Sequence, residues 1–297
     1  MKFPEALQDG RILIADGAAG TLLQAAGLPA GMAPEEWNVL EPAKIEAMHR
    51  SYLEAGARII LTNTFGGSRP KLARMKKESE LERFNRAAVE IARRAAEPFG
   101  VWVAGDMGPT GELMAPLGNL SFDEARRAYA EQAGILADAG VDLLVIETMS
   151  DLEEARAAAL GALEAADLPV VVTMSFDTRG RTMMGVTPEQ LMEALWPLGL
   201  AAIGANCGRS LEENLEVLRR LRAANPAARL WIKPNAGLPR LDGERVVYDV
   251  TPEQFAEFAL KFRALGAQVI GGCCGSTPAH IAAVARALES GTASGSE

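Results

Sequence analysis

The chain has 297 residues, 48% of them hydrophobic, and a formal net charge of −9. That charge argues against nucleic acid or an anionic membrane surface as a partner, because both bind basic faces. No apolar run approaches the roughly 18 residues of a membrane span. The first residues, MKFPEALQDG, contain no apolar signal core. An odd cysteine count without such a signal argues against a disulfide framework and for a reducing compartment. We expect a soluble, cytoplasmic protein.

Eight short apolar runs rich in valine and isoleucine recur along the chain, and each ends in polar residues or glycine. The runs are continuous rather than alternating, which is typical of strands buried on both faces of a parallel sheet. The predicted strands are 11–17, 58–66, 101–108, 141–148, 169–176, 201–208, 229–237 and 267–275.

Helix start signals lie between these runs. A capping box pairs a Ser or Thr with a Glu or Gln three residues later, so that each side chain satisfies a free backbone N–H group. A further helix is predicted at about 42–55, in the long connection between the first two strands. The five capping boxes are Ser121 with Glu124, Ser150 with Glu153, Thr187 with Gln190, Ser210 with Glu213, and Thr251 with Gln254.

Eight strands alternating with helices predict an α/β fold, a (β/α)8 TIM barrel of parallel strands. An open doubly wound sheet is the alternative, but no strand is followed by its phosphate-binding G-x-G-x-x-G turn. We expect residues 1–290 to form a single barrel domain. The small, polar segment 291–297 is predicted to be a disordered or linker tail.

All three cysteines follow predicted strands, Cys207 the sixth and Cys273 and Cys274 the eighth. Only one strand separates these two in a barrel, so the sulfur atoms can converge at the C-terminal rim, where such barrels carry their active sites. Three convergent thiolates favour zinc. The glycines of GGCCG allow the backbone to leave strand geometry so that both cysteines can reach one ion.

Other interpretations of the cysteines remain open. Cys207 alone is explained as well by simple packing, and the adjacent pair as well by a vicinal disulfide. The two histidines, His49 and His280, fall in predicted helices and are interpreted as packing or surface residues. Because no fourth protein ligand is evident, an open catalytic site is favoured over a structural one.

Carboxylates also follow predicted strands. Asp16 and Glu147 are candidates to bind a substrate ammonium group, because a carboxylate at a buried strand end needs a cationic partner. The alternative is a helix cap or an internal hydrogen bond, and this structural role is preferred for Asp106. The glycine-containing run DGAAGTLLQ does not match the spacing of nucleotide-binding loops.

These residues give the chain a resemblance to the homocysteine S-methyltransferase family, and most closely to the homocysteine-binding module of cobalamin-dependent methionine synthases. The motifs run nearly end to end: DGAAGT, TNTFG, GDMGPTGE, IET, NCG, KPNAG and GGCCGSTPAHI. The paired cysteines together with the distant NCG are the most specific of them.

The resemblance implies an enzyme that binds zinc and methylates homocysteine to methionine. It implies that Cys207, Cys273 and Cys274 bind the zinc, and that Asn235 is a fourth ligand when substrate is absent. It also implies that Asp16 and Glu147 bind the amino group of homocysteine. Backbone near Gly17 and Thr64 would bind the carboxylate end.

The resemblance also implies a methyl donor held elsewhere. Methylcobalamin is the donor that the resemblance implies. Because the D-x-H-x-x-G pattern of corrin-binding modules is absent from this chain, the cofactor would be carried in trans by a cobalamin domain, which can be accompanied by a folate module. Betaine is disfavoured because aromatic residues are only 5% of the chain and Thr148 stands where betaine enzymes carry tyrosine. S-methylmethionine or another sulfonium compound is the alternative.

Two rival functions are weaker. A Schiff-base aldolase could use Lys233 as its nucleophile. Lys233 is two residues before Asn235 on the same predicted strand and could therefore face the barrel interior, but this function leaves the cysteines unexplained. A redox or zinc-storage protein could use Cys273 and Cys274 as a reversible pair, but it gives Asp16 and Glu147 no role.

Overall fold

Eight parallel strands dominate the structure, a computed structural model that describes residues 2–243 and 245–293. Each overlaps one of the eight predicted runs. Seven lie inside their runs, whose C-terminal residues form the following loop, whereas the fourth strand extends one residue past the predicted end at 148, to Met149. The barrel strands are β1 (Leu13–Ile14), β2 (Ile59–Leu61), β3 (Trp102–Met107), β4 (Leu143–Met149), β5 (Val170–Met174), β6 (Ala202–Cys207), β7 (Leu230–Pro234) and β10 (Ala267–Ile270).

The sheet closes on itself. Its order is β1-β10-β7-β6-β5-β4-β3-β2, and an isolated parallel bridge from Ala15 to Ile59 joins the two ends. Two hydrogen bonds complete the closure, from Asp16 N to Ile59 O at 3.0 Å and from Arg58 N to Ile14 O at 2.7 Å. The predicted (β/α)8 barrel is therefore confirmed, and β7 alone separates the two strands that precede the cysteines.

Helices surround the barrel, and α4 confirms the helix predicted at about 42–55. None of the described helices combines the length and the apolar character needed to cross a membrane. The helices are α1 (Phe3–Ala6), α2 (Ala19–Ala25), α3 (Trp37–Leu40), α4 (Pro42–Glu54), α5 (Arg69–Ala73), α6 (Leu81–Ala96), α7 (Phe122–Ala139), α8 (Leu152–Ala165), α9 (Pro188–Leu195), α10 (Leu211–Ala224), α11 (Pro252–Ala264) and α12 (Pro278–Ala293).

Three of the five capping boxes are confirmed in full, those beginning at Ser121, Thr187 and Thr251. Ser210 also caps its helix by accepting from Glu213 N at 3.2 Å. The capping box at Ser150 is wrong. Asp151 is the N-cap instead, because its carboxylate accepts the N–H groups of both Glu153 and Glu154, at 2.8 and 3.0 Å.

An antiparallel hairpin of β8 (Arg240–Asp242) and β9 (Arg245–Val247) follows β7 and was not predicted. At the C-terminus, α12 continues through residues 291–293, which the sequence assigned to the tail. Residues 294–297 of that predicted tail lie outside the described residues. The assignment of residues 1–290 to a single domain stays a prediction.

The barrel interior is divided into an apolar and a polar half. Inward-facing residues such as Leu13, Val145 and Trp231 pack in one buried cluster with Phe3 and Ala6 of α1. Phe3 meets the ring of Trp231 edge-on at 6.4 Å between centroids. Helix α1 therefore closes the N-terminal end of the barrel, and polar residues are left to line the C-terminal end.

Candidate metal centre and substrate cavity

The polar half of the barrel interior follows from strand alternation. Successive side chains point to opposite faces, so the residues two positions beyond the apolar inward layer also point inward. Every one of them is at most 7% exposed. They are Asp106 of β3, Glu147 of β4, Thr173 of β5, Asn206 of β6 and Lys233 of β7.

The three cysteine sulfurs converge at this end of the barrel. They all lie within 4.8 Å of one another, and Cys207 Sγ is 3.2 Å from Cys273 Sγ. Sulfurs bound tetrahedrally to one zinc ion lie about 3.8 Å apart, given zinc–sulfur bonds of about 2.3 Å. The cluster therefore fits a soft metal ion, and the predicted convergence of the three residues is found in the structure.

Local backbone geometry turns the cysteines towards each other. Cys207 follows inward-facing Asn206 and would point outward in a regular strand, but its φ of 57° lies in the left-handed region and redirects it. Gly275 has φ of 78°, and a side chain there would also clash with the ring of Tyr248. Strained backbone of this kind is typical of functional sites.

Hydrogen bonds among the three thiols shift their pKa values in opposite directions. Donation by Cys207 and Cys273 lowers the pKa of Cys274 to about 3, whereas its contacts with the other two thiols raise the pKa of Cys207. Cys274 is therefore the most acidic of the three thiols.

A buried charge network lies beside the sulfurs. Lys233 Nζ is 2.9 Å from Asp16 Oδ1 and 3.8 Å from Glu147 Oε2, and Leu61 N donates to Asp16 Oδ2 at 2.7 Å. Both oxygens of Asp16 are thus already bonded. The contact between Lys233 and Glu147 is an ion pair too long to be a hydrogen bond. Glu147 Oε2 is buried and has no hydrogen-bond partner among the described residues.

Burial acts differently on the members of this network. Burial raises the pKa of Glu147 to about 7 even though Lys233 opposes it, and burial together with the Glu147 charge raises the pKa of Asp106 well above its usual range. For Lys233, burial alone would lower the pKa, but Asp16 and Glu147 outweigh it and raise that pKa above its ordinary value. Lys233 is therefore held as an ammonium ion.

A cavity of about 300 Å³ joins the sulfurs to the carboxylates. Among its lining residues are all three cysteines, Asp16, Gly17 and Glu147. Gly17 lies so close to α4 that a Cβ atom there would be 2.7 Å from the Tyr52 ring. Most residues predicted for the site are therefore gathered around one space.

Two predicted residues stand apart from the cavity wall. Thr64 is fully buried, its N–H donates to Thr62 O at 2.9 Å, and its hydroxyl donates to Asp106 O at 2.7 Å. The wall is formed instead by its neighbours Asn63 and Phe65. Asn235 lies next to the cysteines through the backbone, since its N–H donates to Cys207 O at 3.1 Å.

The structure adds Asp106 to the carboxylates that line the cavity, and it shows where the two histidines lie. The sequence assigned Asp106 a structural role, but it lines the cavity, and its buried Oδ1 has no hydrogen-bond partner in the part of the chain that the structure describes. Its position near the end of β3, equivalent to that of Glu147 in the IET motif of β4, was the sequence signal that could have identified Asp106 as a cavity residue. His49 and His280 are both buried in helices, which confirms packing roles rather than surface ones.

Comparison with known proteins identifies the family. Residues 13–288 match the family described as homocysteine S-methyltransferase. The chain is 36% identical to the methionine synthase of Mycobacterium tuberculosis and 35% identical to that of Mycobacterium leprae, in each case over 94% of this chain. It spans only about a quarter of the length of these relatives, 25% and 24%.

Solved structures agree with this match. The metallated form of the homocysteine methyltransferase MmuM from Escherichia coli superimposes with a TM-score of 0.80 at 26% identity, covering 95% of this chain and 98% of that one. A methyltransferase from Methanosarcina mazei, at 13% identity and a TM-score of 0.62, shares the fold. On the family match and the relatives' identity, the chain belongs to the homocysteine S-methyltransferase family.

Proposed function

We propose that this chain binds zinc through Cys207, Cys273 and Cys274 and transfers a methyl group to the thiolate of homocysteine, forming methionine. The convergence of the three sulfurs at the wall of a cavity that also holds carboxylates carries the proposal. Family membership supports it, since the chain matches the homocysteine S-methyltransferase family over residues 13–288.

Zinc, when bound, would favour the thiolate form of a coordinated thiol, so that no general base is needed. Three cysteines leave one position of a tetrahedral site free for the substrate. Asn235 is proposed to fill that position when substrate is absent. In support, its Nδ2 donates to Gly208 O at 2.9 Å, while its buried Oδ1 has no hydrogen-bond partner among the residues described.

Carboxylates of the cavity are proposed to bind the amino group of homocysteine. Within residues 2–243 and 245–293, Glu147 and Asp106 each have a buried oxygen without a hydrogen-bond partner, which a substrate ammonium group would satisfy. Asp16 contributes its charge from the same wall, although Lys233 and Leu61 already bond its oxygens. The carboxylate end of the substrate is assigned to the backbone around Gly17, which lines the cavity.

Methylcobalamin, carried by another module or protein together with a folate module, is the proposed donor. The methionine synthases that match are about four times as long as the matched segment, which leaves room for such modules. A sulfonium donor such as S-methylmethionine is the second candidate. In its support, this chain covers 98% of the homocysteine methyltransferase MmuM, so an enzyme of this kind can consist of little more than the barrel.

The rival functions gain no support from the site. A Schiff-base lysine must lose its proton to act as a nucleophile, whereas Asp16 and Glu147 hold Lys233 as an ammonium ion and raise its pKa. A reversible pair of Cys273 and Cys274 does not account for the third sulfur, Cys207 Sγ, lying 3.2 Å from Cys273 Sγ.

The proposed function is tested by homocysteine-dependent demethylation of free methylcobalamin in the zinc-loaded chain. We expect turnover that disappears when a chelator removes the metal and returns when zinc is restored. If the zinc-loaded chain has no turnover, the same assay with S-methylmethionine follows. Failure with both donors, in protein that retains its zinc, would contradict the proposed transfer.

Replacing Glu147 by glutamine is expected to weaken homocysteine binding about 10- to 100-fold, because a hydrogen bond to a charged group contributes roughly 1.5–3 kcal/mol. The zinc content should not change, since Glu147 is not a ligand. The measurement is the dissociation constant of homocysteine against that of 4-mercaptobutanoate, which lacks the amino group. A variant that binds both thiols as the wild type does would place the ammonium group elsewhere.

A further inference from the structure

Asn206 is a fully buried residue directly behind the cysteine cluster. Its side chain points into the barrel. The left-handed backbone at Cys207 turns the Cys207 side chain to that same side of the strand. As a result, Asn206 Nδ2 lies 3.5 Å from Cys207 Sγ and 3.8 Å from Cys273 Sγ. One amide nitrogen therefore contacts two of the three sulfurs.

The orientation of this amide is fixed by its other end. Asn206 Oδ1 accepts from Thr148 N at 2.8 Å and from Thr173 Oγ1 at 2.7 Å. A backbone N–H can only donate, so the atom that faces Thr148 N must be the oxygen. The nitrogen is thereby placed towards the sulfurs.

The hydrogens of Nδ2 can also be assigned. An amide NH2 has two N–H donors, and Asn206 donates one of them to Thr148 Oγ1 at 2.6 Å. The remaining N–H lies on the side of Cys207 and Cys273 and has their sulfurs as its acceptors. Thr148, held at both its N–H and its hydroxyl, has a left-handed φ of 63° and belongs to the same strained rim.

We propose that Asn206 is a positioning residue of the metal centre, whose side-chain N–H donates to the thiolates of Cys207 and Cys273. This inference rests on the proposed metal site. Three thiolates exceed the charge of one divalent ion, and the three cysteines are half-buried at the cavity wall, where uncompensated charge is unfavourable. A fixed N–H donor offsets that excess, as partners of metal ligands generally do.

The decisive variant is Asn206→Asp. Aspartate has nearly the same shape and can still accept from Thr148 N and Thr173 Oγ1, but it turns a carboxylate oxygen towards the sulfurs in place of the N–H. We expect zinc affinity, measured by competition with a chromophoric chelator, to fall by about 10- to 100-fold. In the cobalt-substituted protein, the thiolate-to-cobalt charge-transfer band should move to lower energy, because the sulfurs lose a hydrogen bond.

Asn85→Asp is the matched control. Asn85 is equally buried but lies on α6, where its Nδ2 donates to Gly67 O and Leu81 O. It should show any general effect of a buried carboxylate on stability with no change in zinc affinity or in the cobalt spectrum. Wild-type affinity and band position in Asn206→Asp, or equal losses in both variants, would overturn the proposal.

A measurement on the unmodified chain covers the case in which Asn206→Asp does not fold. With an NMR-active cadmium isotope in the site, one side-chain amide proton of Asn206 should show scalar coupling to the metal through the sulfur. Absence of coupling at both protons would overturn the inference. If the wild-type chain binds neither zinc, cobalt nor cadmium, the metal site itself fails, which distinguishes the two proposals.

Discussion

Replacing Cys207 by alanine is expected to abolish zinc binding and to reduce methyl transfer by more than about 100-fold, because even the loss of a partner of a metal ligand costs about 10- to 100-fold. The barrel should stay folded, since its core is formed by strands and helices away from the sulfurs. Zinc content by metal analysis and turnover with homocysteine are the measurements.

Thermal unfolding separates loss of the metal from loss of the fold. A metal that binds only the native state stabilises it, so the Cys207→Ala variant should unfold at the midpoint of chelator-treated wild type. Ser175→Ala, a buried change just beyond neighbouring β5, is the control and should keep its zinc. Full zinc occupancy with full turnover in Cys207→Ala would show that Cys207 is not a ligand.

The barrel and the cysteine cluster were predictable because their signals are local. A continuous apolar run identifies a doubly buried strand, and eight such runs leave few topologies. Once β6 and β10 are known to flank β7, the sequence positions of Cys207 and Cys273 place them on one rim. The left-handed turn at Cys207 could not be predicted, because asparagine–cysteine–glycine fits a regular strand end equally well.

The charge network was less predictable because its members are far apart in the chain. Lys233 and Asp16 are 217 residues apart, and only the closed barrel brings them together. Asp106 was assigned a structural role because sequence does not show whether a strand-end carboxylate meets a partner. The missed hairpin did have a local signal, the Asp-Gly pair of RLDGERV, which is typical of hairpin turns.

Replacing Lys233 by methionine is expected to lower the free energy of unfolding by about 3–5 kcal/mol, the usual result of removing one partner from a buried ion pair. Lys233 is 2% exposed and Asp16 5%, so water cannot replace the lost ammonium group. Asp16 would then face Glu147 without a cation between them. Urea unfolding of the zinc-loaded proteins measures the difference.

A double-mutant cycle tests whether the lower free energy of unfolding of Lys233→Met comes from the unpaired charge of Asp16. Adding Asp16→Asn to Lys233→Met should restore part of the stability, because the neutral amide removes the unpaired charge while its oxygen can still accept from Leu61 N. Lys261→Met, at an exposed lysine over the Phe258 ring, should change stability by less than about 1 kcal/mol. If Lys233→Met changes the free energy of unfolding by as little as Lys261→Met does, the ion pair with Asp16 does not stabilise this end of the barrel. If the double variant is as unstable as Lys233→Met, the lost packing of the lysine side chain rather than the unpaired charge of Asp16 is the cause.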